Sequence, residues 1–368
     1  MKTAHASSSS KKISETSVAA PGADPLEIAV RAFDKHVETN PLGHYTGIVS
    51  LHGLGRLGLF LKERSGDVSV LEKARTHYGP FLRGEEKFKC NFPNYHIGGN
   101  GAAYLWWKGE LTEESEKFAY YVDELMTKAP RDRNGICCHP RAPQEEMIWI
   151  DVAFAVTPFL LFCGLKMNRP DCIDEAWAQT RKMVATLRVA ETGLVNQAIN
   201  FRGVGHRSAD HWSRGNGWAM LALAELVQFF PETHPERPAV VKMYLDFIEA
   251  CMKARDEVTG LWHQEMTAPE SYIETSGSGL ILYGIGAGLE LGLLGETHRE
   301  AFETGLRSLL SYIALDGSVH HTCVGCLSPG QGTREDYIGH PHRLNDCHAF
   351  GPLVLAFGQA ARLGVALK

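Results

Sequence analysis

Apolar residues recur at intervals of three and four along six stretches of the chain: "GIVSLHGLGRLGLFLKERSG" (47–66), "GGNGAAYLWWKG" (98–109), "IDVAFAVTPFLLFCGLKMN" (150–168), "GNGWAMLALAELVQFFPE" (215–232), "GSGLILYGIGAGLELGLLGE" (277–296) and "FGPLVLAFGQAARLG" (350–364). Each opens on small residues or glycine, is apolar on nearly every face, and stops at a polar or glycine-containing turn. A helix apolar all round has to be buried on all sides. Between them lie stretches with one polar face, among them "PLEIAVRAFDKHVE" (25–38), "EESEKFAYYVDELMTKA" (113–129), "CIDEAWAQTRKMVATLRVA" (172–190), "PAVVKMYLDFIEACMKARDE" (238–257) and "REAFETGLRSLLSYIAL" (299–315). Strand-like alternation is almost absent, so any sheet is expected as a short hairpin in a loop.

Buried helices alternating with half-exposed ones predict an all-α fold, an (α/α)6 barrel of six helical hairpins with the apolar helices inside and the amphipathic ones as a sheath. An open superhelical array of the same hairpins is the alternative. In a closed ring every inner helix starts at the same rim, so the residues at the start of each apolar stretch converge on one cavity. The Ser-rich opening, residues 1–25, is polar and without an apolar core of its own, which predicts a disordered tail followed by a single barrel over 26–368.

Composition narrows the partners. The 368 residues carry a formal charge of −6 with no block of Lys or Arg, which leaves nucleic acid and anionic membrane without an electrostatic footprint. No stretch is long and apolar enough to span a bilayer. Nine cysteines without regular spacing predict reduced thiols in a cytoplasmic protein. "HHTCVGC" offers His320, His321, Cys323 and Cys326 to zinc, but "NDCH" (Cys347, His348) makes a poor second pair, so no metal is expected. The partner is a small molecule; monomer and homodimer stay equally open.

The chemistry concentrates at the predicted rim. "HWSRGNGWAM" crowds Trp212, Arg214 and Trp218 around Gly215 and Gly217; indole faces suit a sugar ring, a guanidinium fork suits a carboxylate, and glycines allow backbone and ligand to approach. The competing reading makes the tryptophans core anchors and the arginine an ion-pair partner. Asp151 stands inside an unbroken apolar run, where desolvation raises a carboxyl pKa toward the range a general acid needs; a helix cap or a buried ion pair is its alternative. His139 lies a loop ahead of it and Trp149 two residues before. "HPHRLNDCHAFGP" gathers Arg343, Asn345, Asp346 and His348 before the last apolar stretch, as a polar cluster or as a loop capped by Asp346.

"WIDVAFAVTPFLLFCG", "TGLVNQ", "HWSRGNGWAMLALAELV", "GLWHQEMTAPESYIETSGSGLILYGIGAGLELGLL" and "DYIGHPHRLNDCHAFGPLVLA" resemble, in order and spacing from about residue 40 onward, the unsaturated glucuronyl and rhamnogalacturonyl hydrolases of glycoside hydrolase family 105. The resemblance implies an (α/α)6 barrel and an enzyme that needs no cofactor. Its substrate would be a small oligosaccharide left by a polysaccharide lyase, ending in a 4,5-unsaturated uronic acid. It implies Asp151 as the acid that protonates C4, with water adding at C5 and the hemiketal opening to release the next sugar. Trp212, Arg214 and Trp218 would hold the uronate, His139 would face it, and Gln197 stands where a further histidine is usual. Relatives place a second aspartate ahead of "GGNGAAYLWW"; here Asn94 or His96 occupies that place, and its loss is expected to lower the pKa of Asp151 unless burial compensates. A sugar epimerase using paired histidines, and a protein that binds unsaturated uronides without consuming them, remain as alternatives.

Overall fold

The computed structural model describes residues 23–88, 92–112, 115–140, 146–327 and 330–367, so the expected tail lies outside the described residues as far as residue 22. Outer and inner helices alternate along the chain: α1 (Pro25–Thr39) and α2 (Tyr45–Ser65), α3 (Ser69–Leu82) and α4 (Gly99–Trp107), α5 (Ser115–Thr127) and α6 (Asp151–Met167). The second half repeats this with α7 (Pro170–Leu187) and α8 (Ser213–Phe229), then α9 (Arg237–Lys253) and α10 (Thr275–Glu290). It closes with α11 (Glu296–Leu310), a short α12 (Arg334–Ile338) inside a loop, and α13 (Phe350–Leu363). Inner helices pack in the order α2, α4, α6, α8, α10, α13, and α13 returns to α2. The ring is therefore closed, an (α/α)6 barrel, and the open array is excluded.

Helix composition follows position. In α8 every residue from Ser213 to Val227 is buried, whereas α1 buries one stripe, including Ile28, Ala29, Ala32 and Phe33, after Asp24 caps its start by accepting from the Leu26 N–H at 3.0 Å. Inner helices come close because glycine lines their seams. A Cβ on Gly217 would stand 2.8 Å from Leu280, and one on Gly277 2.5 Å from the Ser213 carbonyl carbon. The glycines of the "RGNGW" motif thus serve helix packing, not the approach of a ligand. The sixth outer helix, α3, had no counterpart in the hydrophobic pattern. It buries Val70, Leu71, Ala74, Tyr78, Phe81 and Leu82 at helical spacing, but "GP" at 79–80 reads as a break, and Pro80 is tolerated within its last turn.

Two short antiparallel ladders occur among the described residues, one joining two loops and the other folding back within a single long loop. β1 (Ile148–Trp149) pairs with β2 (Ala198–Ile199), and β3 (Thr322–Cys323) with β4 (His342–Arg343). The first ties the loop before α6 to the loop before α8, and the second, an antiparallel pair within the connection from α11 to α13, is the short pairing inside one loop that was expected. Inside the barrel Glu225 of α8 accepts from His52 Nε2 (3.1 Å) and Arg56 Nη1 (2.8 Å) of α2 and from the Tyr283 hydroxyl of α10. Arg56 also donates to Gln228 at 2.6 Å and lies over the rings of Tyr104, Phe229 and Tyr283. This network fills the interior with paired charge.

Candidate active site

The starts of the inner helices enclose a cavity of about 390 Å³, within the range of small-molecule sites. Its lining includes His44, Tyr45, Tyr95, His139, Trp149, Asp151, Phe154, Cys326 and His348. Four of the residues singled out in the sequence, His139, Trp149, Asp151 and His348, thus line one cavity. Asp151 opens α6, immediately after β1, and Ile150 is fixed by donating its N–H to the Gln197 carbonyl at 2.9 Å. The His139 ring stacks on Trp149 with centroids 4.0 Å apart. Trp149 Nε1 and Asp151 Oδ2 are buried polar atoms with no hydrogen-bond partner among the described residues.

Burial pushes the Asp151 carboxyl up to about 6. Arg214, the helix backbone and the Trp218 indole oppose the rise, while the nearby Asp210 adds to it. Asp210 was not singled out in the sequence. It is fully buried ahead of α8, where its carboxyl accepts from the Gln197 N–H at 3.2 Å and the Trp212 N–H at 3.0 Å, and burial raises its own pKa against those bonds. The exception allowed for the loss of a second aspartate therefore applies: burial keeps the Asp151 pKa up, and a carboxylate from another loop supplies like charge.

Asn94 takes a place beside the acid's helix. It lies buried in a short 3-10 turn, Pro93–Ile97, and donates through Nδ2 to the Ala155 carbonyl at 2.9 Å, while its Oδ1 has no partner among the described residues. His96, the other candidate for that place, turns outward; its ring packs near Tyr121 of α5 (6.1 Å) and Phe88 (5.5 Å), and it does not line the cavity. Of the two candidates Asn94 faces the acid's helix, but neither lines the cavity, which the same turn reaches through Tyr95. Gln197 is fully buried behind the β1–β2 ladder, with neither side-chain polar atom partnered among the described residues.

Arg214 departs most from its expected use. Its guanidinium is buried and its fork is occupied: Nη1 donates to the Cys323 carbonyl (2.7 Å) and to Ser276 Oγ (3.2 Å), and Nη2 to the Val324 carbonyl (2.6 Å). It lies over the Trp212 ring at 4.6 Å and 4.0 Å from Glu274. Arg214 thus clamps the loop that brings Gly325 and Cys326 to the cavity and is not itself on the lining. Trp212 is buried beneath it, and Trp218 is buried behind the lining, stacked on Phe154 at 4.6 Å. The "ETSGS" motif has a matching structural task. Glu274 caps α10 by accepting from the N–H groups of Ser276 (3.1 Å) and Gly277 (2.6 Å), and it also takes hydrogen bonds from Ser213 Oγ (3.1 Å) and the Cys323 N–H (3.0 Å).

Asp346 is buried one layer out, bonded to Arg343 and His348, and His348 alone of this cluster reaches the lining. Tyr45 and His44 were not singled out, although they stand at the start of the first apolar stretch, where convergence on the cavity was expected; "GHYTG" offers no charge to draw attention. His320, His321, Cys323 and Cys326 are not gathered into a metal-ligating group. Among the described residues the one such group is Asp346, Cys347 and His348, where His348 Nδ1 is already hydrogen-bonded to Asp346. No described helix is long and apolar enough to cross a membrane.

Twelve alternating helices with a carboxyl-bearing, aromatic-walled pocket at the starts of the inner ones define an (α/α)6-barrel protein with a site suited to a sugar. The chain belongs to glycosyl hydrolase family 88, whose sequence profile matches residues 32–363. The unsaturated rhamnogalacturonyl hydrolase YesR of Bacillus subtilis is 29% identical over 216 residues, 57% of this chain and 60% of its own length. An unsaturated 3S-rhamnoglycuronyl hydrolase of an Alteromonas species is 29% identical over 112 residues, 30% of this chain and 27% of that protein. The chain therefore matches less than two thirds of the length of these relatives. In structure it is similar to a possible family 105 member from Salmonella enterica, with a TM-score of 0.80 at 20% identity, covering 93% of this chain and 94% of the other. It is also similar to the unsaturated glucuronyl hydrolase of Bacillus sp. GL1, with a TM-score of 0.65 at 14% identity, covering 91% and 95%.

Proposed function

We propose that this protein is an unsaturated uronyl hydrolase, removing a 4,5-unsaturated uronic acid from the non-reducing end of short lyase-generated oligosaccharides. The observation that carries this is the Asp151 carboxyl, on the cavity wall with a pKa raised to about 6, so that about half of it holds a proton at pH 6 and about a tenth still does at pH 7. The proton goes to C4 of the enol ether, leaving positive charge shared between C5 and the ring oxygen. Water adds at C5. The hemiketal opens to a ketone, and the freed hemiacetal carbon releases the neighbouring sugar. Trp149, Tyr95 and Phe154 supply aromatic faces for the ring, and His139 supplies a polar contact. Arg214 acts from behind, fixing the Cys326 loop and contributing positive charge, instead of gripping the substrate.

Residues 26–368 are taken as one catalytic unit. The eight described cysteines are all free, which supports a cytoplasmic setting. The family and the fold favour an enzyme over a binder. The experiment is to incubate the full chain with a panel of unsaturated disaccharides, from rhamnogalacturonan, ulvan and glucuronan lyases, and to follow masses. Products in which the disaccharide has gained one water and split support the reading. An isomer of unchanged mass would mark an epimerase, and binding without consumption would mark a carrier.

A further inference from the structure

Adding water across the double bond moves two protons: one onto C4, and one off the water that attacks C5. Asp151 supplies the first; the second goes to a base on the cavity wall, either the carboxylate that Asp151 has become or a second group on another side of the attacking water. Tyr45 opens α2 and lines the cavity beside His348, with its hydroxyl hydrogen-bonded to His348 Nε2 in a short contact. His348 Nδ1 lies 2.5 Å from Asp346 Oδ1. That carboxylate also accepts from the His348 backbone N–H at 3.1 Å and from Arg343 Nη2 at 2.6 Å. His44, which caps the start of α2, packs against both rings, 4.4 Å from Tyr45 and 6.3 Å from His348.

The direction of these bonds follows from which groups are charged. Burial pushes the Asp346 carboxyl up, but its bonds to His348 outweigh that and hold it well below the usual carboxylate range, so it is ionised and can only accept. Burial, assisted by Arg214, lowers the His348 imidazole to about 3 against the pull of Asp346, so the ring is neutral. A neutral ring that donates through Nδ1 accepts through Nε2. The Tyr45 O–H therefore points at His348, and the lone pairs of its oxygen are left for the cavity. In the ring of inner helices α4 stands between α2 and α6, so Tyr45 and Asp151 approach the cavity from different sides.

We propose that Tyr45 is a catalytic residue of the hydration, its oxygen taking a proton from the attacking water while its own proton passes to His348 Nε2 and Asp346 holds the imidazolium formed. The water lone pair makes the C5–O bond, the water O–H bond breaks toward Tyr45, and the Tyr45 O–H bond breaks toward His348. Tyr45 ends unchanged, and the proton on His348 returns through solvent to the carboxylate that Asp151 became. Tyr45 touches the reacting water; His348 and Asp346 are positioning residues that act through it. This inference rests on the hydrolase reading above.

The test compares the wild type, Tyr45→Phe, His348→Gln and Asp151→Asn on an unsaturated disaccharide that the wild type consumes, with and without sodium azide. Azide attacks without having to lose a proton. Both relay variants are expected to lose at least about 50-fold in kcat with KM within about threefold, and azide is expected to restore their double-bond loss by at least about tenfold. Asp151→Asn stays inert in azide, because protonation of C4 precedes any attack. A Tyr45→Phe enzyme within threefold of the wild-type kcat, a loss that azide leaves unchanged, or an effect on KM alone would overturn the proposal. A wild type inert on every unsaturated disaccharide would overturn the hydrolase reading, and this inference with it.

Discussion

Burial governs the Asp151 carboxyl more strongly than any neighbouring charge, and two consequences follow at the scale of this one residue. An acid with a pKa of about 6 is competent while protonated, so kcat/KM is expected to fall about tenfold per pH unit above 6, read as a pH–rate profile. The same shift bears on stability. Its folded-state pKa lies above the unfolded value, so the folded state keeps the proton longer; the contribution is present below about pH 4 and is lost as pH rises through about 6. Asp151→Asn, neutral at every pH, is therefore expected to be more stable than the wild type at pH 7.5, by about 1–3 kcal/mol, and equal to it near pH 4. Urea unfolding at the two pH values checks this, and a variant less stable at both would contradict it. Asp151 was legible because a carboxylate inside an apolar run has to be exceptional. Asp210 was not, since its burial depends on Gln197 and Trp212 backbone groups brought to it by the fold.

At the scale of elements, the seam between α8, α10 and the β3 loop is held by Glu274 and Arg214, and the sequence pattern assigns Arg214 to the ligand, not to this seam. A guanidinium near a sugar-sized pocket suggests carboxylate binding, yet two backbone carbonyls of residues 323 and 324 claim it. Nothing local in "WSRGNGW" announces a partner more than a hundred residues away. Glu274→Gln places an amide N–H₂ where one carboxylate oxygen accepts from two or three donors, and Arg214→Lys abandons at least one carbonyl. Each is expected to cost about 3–5 kcal/mol, the range for breaking a buried charged pair, with a matching fall in thermal midpoint. Substrate affinity of Arg214→Lys, measured below that midpoint, should suffer through the displaced Cys326 loop, which limited proteolysis of residues 322–327 would detect.

For the whole molecule, the alternation of fully apolar and amphipathic stretches carried the barrel, because a helix wet on no face has to be enclosed, and six of them close on each other. What the pattern could not carry was α3, whose "GP" reads as an end, and the two ladders, whose two-residue strands leave no periodicity. The interior network of His52, Arg56, Glu225 and Tyr283 joins α2, α8 and α10 around the barrel. Glu225→Gln leaves Arg56 buried without its counter-charge and is expected to lower global stability by about 3–5 kcal/mol. Because Glu225 does not line the cavity, kcat at temperatures where the variant stays folded should remain within about twofold of the wild type. A selective loss of kcat in a fully folded variant would tie the barrel interior to the chemistry instead.

The most direct measurement is the decay of enol-ether ultraviolet absorbance when wild type and Asp151→Asn are mixed, at pH 6, with an unsaturated disaccharide. The wild type is expected to consume the double bond and the variant to leave it intact, slower by at least about a thousandfold. Decay at equal rates would remove Asp151 as the proton donor.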